Sequence, residues 1–163
     1  MSEDIRENLP TLIIAFVLGI AICIFAFVQI CNNAGSLDVN TFGTLTFVIP
    51  FGLMIVVPFV IILTSQRIGR KLYLVVVGTC FVLGIVVLVL TSTLMSDPAI
   101  STQLLANSPD GTVIVPATNS PIIVMRDIAA SIVCPTVGCI AGAWIGSRLH
   151  PVTAEKTNKK NRR

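Results

Sequence analysis

Apolar residues fall in four long, nearly unbroken runs, and polar residues are confined to the stretches between them. The first run is residues 11–31, TLIIAFVLGIAICIFAFVQIC. The second is 42–64, FGTLTFVIPFGLMIVVPFVIILT, and the third is 72–95, LYLVVVGTCFVLGIVVLVLTSTLM. The fourth ends at Ser147 and begins between Pro121 and Ile128. Each reaches or exceeds the ~20 residues that cross about 30 Å of hydrocarbon as a helix. None alternates with period two, which argues against a membrane β-barrel. The pattern predicts an all-α membrane protein with four transmembrane helices over about 11–31, 42–64, 72–95 and 127–147. Residues 1–150 then form one transmembrane domain, 96–126 an outer loop, and 151–163 a basic tail.

The outer loop has structure of its own in prospect. AISTQLLAN, residues 99–107, suits a short interfacial helix with Ile100, Leu104 and Leu105 on one side. Pro109-Asp110-Gly111 is a turn signature. Two β-prone runs, TVIV at 112–115 and PIIV at 121–124, suggest a small hairpin. Ser120-Pro121 competes with it, because serine followed by proline is how many helices begin.

Charge fixes an expected orientation. Arg67, Arg70 and Lys71 lie between the second and third runs. Arg148, Lys156, Lys159, Lys160, Arg162 and Arg163 follow the fourth, on the same side of a four-span chain. The opposite side, residues 32–40 and 96–125, carries Asp38, Asp97 and Asp110 and no lysine or arginine. The positive-inside rule places both termini in the cytoplasm of a cell whose plasma membrane holds the chain. Only 12% of residues are charged and 54% are hydrophobic, at a mean hydropathy of +0.91, whereas a soluble domain carries about 25% charged residues. The opening MSEDIRENLP sets Glu3, Asp4 and Glu7 against Arg6, unlike the basic start of a signal peptide, so the first run is expected to stay as a span.

Candidate chemistry is sparse. There is no HExxH, P-loop or GxSxG motif, and the single histidine, His150, sits beside Pro151 at the basic end. Cys23, Cys31, Cys80, Cys134 and Cys139 all lie in or at the edge of apolar runs and read as small buried hydrophobes. Cys134 and Cys139 lack CxxC spacing. No catalytic, cofactor-binding or metal-ligating residue is assigned, and nucleic acid is not an expected partner. The basic tail suits orientation or contact with anionic lipid. The first three runs contain no ionisable residue apart from cysteine and Tyr73, which argues against a self-sufficient proton pump. Their threonines, such as Thr44, Thr46, Thr79, Thr91 and Thr93, can bond back to helix carbonyls.

The fourth run is the most informative. Gly138, Gly142 and Gly146 recur every fourth residue among Ala141, Ala143 and Ser147, a glycine-zipper pattern that lets membrane helices approach closely. Pro50, Pro58 and Pro135 are expected to kink their helices. Arg126 and Asp127 form an adjacent ion pair at the beginning of the run. A helix from Pro121 to Ser147 is about 40 Å long, and fitting it inside the hydrocarbon requires a tilt of roughly 41°. The pair is therefore expected at the outer interface. There Asp127 can cap or oppose the helix N-terminus and Arg126 can snorkel; alternatively the pair docks a partner or lines an ion path.

Residues 126–146, RDIAASIVCPTVGCIAGAWIG, with the overall chain length, resemble the small integral membrane subunits of methanogen energy-converting hydrogenases. That resemblance implies an ion-translocating redox complex whose metal chemistry lies in other subunits. No residue here matches a cofactor-ligand motif of such complexes. The expected function is thus a non-catalytic polytopic subunit of a larger membrane complex, with other integral membrane subunits and the lipid bilayer as partners. Two rivals are a stand-alone transporter or channel working as a homo-oligomer, with Pro50 and Pro58 as hinges, and an outward-facing binding protein that uses residues 96–125.

Overall fold

The computed structural model describes residues 3–65 and 70–149. Five helices follow in chain order: α1 Glu3–Asn32, α2 Val39–Thr64, α3 Arg70–Ser96, α4 Pro98–Ala106 and α5 Pro121–Leu149. Two single 3₁₀ turns, Ala34–Ser36 and Ala117–Asn119, join them. All but α4 contain stretches long and apolar enough to cross a membrane: Asn8–Asn32, Val39–Thr64, Lys71–Ser96 and Pro121–Arg148. The chain is a multi-pass helical membrane protein. Arg67 lies outside the described residues, as do His150 and the basic tail.

Local chemistry sets the helix starts. Asp38 caps α2, its Oδ1 accepting the Thr41 N–H at 2.9 Å. Asp97 caps α4 in the same manner, accepting from Ala99 at 2.9 Å, and Pro98 takes the first helical position. At α5 the Ser120 carbonyl receives the first helical bond, from Val124 at 3.0 Å. The helix that carries the fourth apolar run therefore begins at Pro121, the earlier of the two starts that the sequence leaves open. This removes the hairpin: PIIV is the first turn of α5, and among the described residues there is no strand. Pro121 has no N–H to give a β-ladder, whereas its fixed φ suits a helix start.

α5 is the central helix. It packs most extensively on α2 and next on α3, while α1 lies mainly along α2. Gly138 faces Ile55, Gly142 faces Phe59 and Ile62, and Gly146 faces Leu63, so α5 and α2 run in the same direction. Contacts to α3 pair Thr118 with Ser92, Ser131 with Gly84 and Thr136 with Tyr73, so that helix runs opposite. One apolar cluster, including Phe51, Ile61, Ile62, Leu72 and Val76, fills the middle and the α2–α3 end of the bundle. A second, of Ile30, Ala34, Phe42 and Leu104, closes the opposite end under α4. Outward residues such as Ile14, Leu18 and Phe25 are exposed and apolar, which suits lipid as their solvent.

α4 and the loop around it form an ordered cap. The Asn107 side-chain amide donates to the carbonyls of Gly35 at 2.7 Å, Gln103 at 3.1 Å and Leu37 at 3.4 Å. The Ser108 hydroxyl donates to Leu104 O at 2.6 Å and accepts from the Val39 N–H at 2.9 Å. These bonds tie the α3–α5 connection to the α1–α2 turn.

Candidate functional site

Arg126 and Asp127 are neighbours on α5, so their side chains leave the helix about 100° apart. Asp127 turns inward, its side chain 6% exposed, while Arg126 remains 46% exposed. The Arg126 Nε donates to Asp127 Oδ1 at 2.8 Å. The guanidinium also lies over the Phe47 ring of α2, with Cζ 4.1 Å from the centroid, and Phe47 packs against Phe51 with centroids 4.6 Å apart. One cation thus neutralises a buried carboxylate and clamps α5 to α2 through a cation–π contact. Asp127 sits in the second turn of α5, and the position before the helix, where a capping residue stands, is held by Ser120. Its contribution is to the positive end of the helix and to Arg126, not to capping. Phe47 carries no mark in the sequence that would single it out from the other aromatic residues.

At the other end of α5, Arg148 covers the Trp144 ring with Cζ 4.2 Å from the centroid. Tryptophan and arginine of this kind mark a membrane–water boundary. Asp127 and Trp144 are about 26 Å apart along the helix axis at 1.5 Å per residue. That is close to the hydrocarbon thickness of about 30 Å. The two cation–π pairs are thus separated along α5 by a length close to that thickness.

The three glycines at four-residue spacing have unequal surroundings. A Cβ on Gly138 would overlap the Ile55 carbonyl oxygen, and one on Gly142 would lie 2.7 Å from the Phe59 carbonyl oxygen. One on Gly146 would meet only Leu63 Cδ1, at 3.9 Å. Close approach of glycine Cα to helix carbonyls at four-residue spacing is the geometry of Cα–H···O contacts between helices. This face is filled by α2 of the same chain. Pro50, Pro58 and Pro135 are all buried within their helices, and Pro10 lies inside α1 as well. By removing N–H groups, Pro50, Pro58 and Pro135 free the carbonyls of Thr46, Met54 and Ser131 from their usual helical donors.

Several other polar groups bond within the bundle. The hydroxyls of Thr44, Thr46, Thr79 and Thr93 donate to carbonyls of their own helices at 2.8–2.9 Å. Tyr73 and Thr136 share a hydrogen bond at 3.2 Å, and Ser92 and Thr118 one at 2.7 Å. All five cysteines are free thiols. Among the described residues no three His, Cys, Asp or Glu side chains gather as a metal site. The α2–α5 seam is closed by backbone contact at Gly138. No family model matches the chain, and neither a curated protein nor a solved structure matches it.

Proposed function

We propose that the chain is a non-catalytic subunit of a larger membrane assembly, oriented with both termini in the cytoplasm. The observation that carries this reading is the Pro121 end of α5. The span Pro121–Arg148 has 28 residues, about 42 Å of helix, against roughly 30 Å of hydrocarbon. With Trp144 and Arg148 at one boundary, the excess length stands beyond the other. There Ile122 is 80% and Met125 72% exposed, beside the Arg126–Asp127 pair. A lone chain presents these large apolar side chains to headgroups and water. Exposed apolar groups rimmed by charge mark a protein interface, and methionine is enriched at such surfaces.

The charge distribution supports the orientation: Arg70, Lys71 and Arg148 lie at one end of the bundle, and Asp38, Asp97 and Asp110 at the other. The plasma membrane is the proposed location. The host assembly suggested by residues 126–146 is the ion-translocating arm of an energy-converting hydrogenase-type redox complex. There this subunit would supply scaffold or help line an ion path, the latter away from the α2–α5 seam that Gly138 closes.

A photoreactive benzophenone side chain at Ile122 or Met125, activated in source-cell membranes, tests the interface. The expected product is one discrete adduct with a different multi-pass protein, absent when the probe stands at lipid-facing Leu18. Adducts with lipid alone contradict the subunit reading. An adduct with a second copy replaces it with the homo-oligomeric transporter or channel.

A further inference from the structure

Away from the Arg126 end, a cavity of about 190 Å³ opens between α1 and α3 with α2 as its floor. It exists because α1 lies along α2 but meets α3 only sparsely. Gly19 and Cys23 of α1, Pro50 and Met54 of α2, and Cys80 and Leu83 of α3 shape its walls. No hydroxyl, amide or charged side chain lines it. At Gly19 a Cβ would lie 2.9 Å from Val57 Cγ2, so α1 sits tightly on α2 there and the gap toward α3 is fixed by that seat. The wall residues fall in the middle of the spans Asn8–Asn32 and Lys71–Ser96, so the cavity borders hydrocarbon and not water.

The possible occupants are few. Water needs two to four polar partners, and the walls offer none. A transmembrane helix is about 10–12 Å wide and does not fit such a volume. An apolar cavity of about 150 Å³ stays dry and takes up benzene, so this one has room for a hydrocarbon segment of somewhat greater size. Left empty, it would deprive three helices of dispersion contacts. We propose that this cavity is a binding site for one acyl chain of a bilayer lipid, held against three helices instead of exchanging with the lipid that coats the outer face. The site stands independently of any partner at Ile122 and Met125.

The test uses the full chain in nanodiscs of phosphatidylcholine that carries a diazirine in one acyl chain, with photolabelled residues mapped by peptide fragmentation. Labelling at Cys23 and Leu83 is expected to exceed that at the outward residues Ile14, Leu18 and Phe25 several-fold. Filling the cavity with Cys23→Phe or Leu83→Phe is expected to abolish the excess, while Cys23→Val retains it. Even labelling of inner and outer residues in the wild-type chain overturns the proposal, and that result does not depend on any variant folding. So does an excess that survives both filling substitutions in folded protein.

Discussion

Gly138 and Gly146 belong to one repeat but carry different loads. Gly138→Ala forces a methyl group into the Ile55 carbonyl, and overpacking of this kind costs about 1–3 kcal/mol. At Gly146 the nearest atom is 3.9 Å away, so Gly146→Ala is expected within about 0.5 kcal/mol of wild type. Unfolding by titration with a denaturing detergent separates the two. Arg126→Ala leaves Asp127 buried without its partner, a loss of about 1–3 kcal/mol. Adding Asp127→Asn removes the stranded charge, so the double variant should recover at least about 0.5 kcal/mol of that loss in the same titration. Asp38 gives a pH test. Hydrogen bonds from Thr41, first its hydroxyl and then its backbone N–H, hold the Asp38 carboxyl below the usual carboxylate range. A depressed folded value means that the cap is fully effective above about pH 4 and is lost as pH falls through that value. Amide protection at Thr41 should therefore decline in acid, whereas in Asp38→Asn, still a good cap, it should not depend on this titration.

The cap is an element held by a few polar atoms. Asn107→Ala deletes three bonds from one side-chain amide, with an expected cost of about 1–2 kcal/mol. Exchange and proteolysis of residues 98–120 should rise while the four long helices keep their content by circular dichroism. Uniform loosening of the spans would show that the cap does not act as a separate unit. Little of this cap was legible beforehand. The helix at α4 could be read from the apolar positions of AISTQLLAN, but Asn107 finds Gly35 72 residues away, and no local pattern encodes that meeting. The long helices were legible because lipid imposes one rule on every residue in them. Hydrophobic length left the start of α5 open between Pro121 and Ile128, and the serine–proline pair at 120–121 marks the one the helix takes. The glycine stripe announced a close neighbour without naming it. Which helix arrives depends on register between helices, and here it is α2. Phe47 under Arg126 escaped for the same reason.

At the scale of the whole molecule, chemistry is less prominent than surface. Its polar side chains are largely spent on capping, on helix carbonyls and on one clamped ion pair. The glycine seam that sequence offers to any neighbour is consumed internally by α2, so a partner must use other ground. Under the proposed subunit reading, that ground is the Pro121 end of α5, where Ile122 and Met125 are exposed. Arg126→Ala should then weaken association as well as stability, because Arg126 holds this end of α5 against Phe47 of α2. Retained assembly in folded Arg126→Ala would separate the clamp from the interface. The most direct measurement is purification from source membranes in a gentle detergent, followed by native mass spectrometry of the intact particle. The expected result is a particle in which this chain is present at fixed stoichiometry with different integral membrane subunits. A particle made only of this chain, whether monomer or homo-oligomer, would contradict the subunit reading.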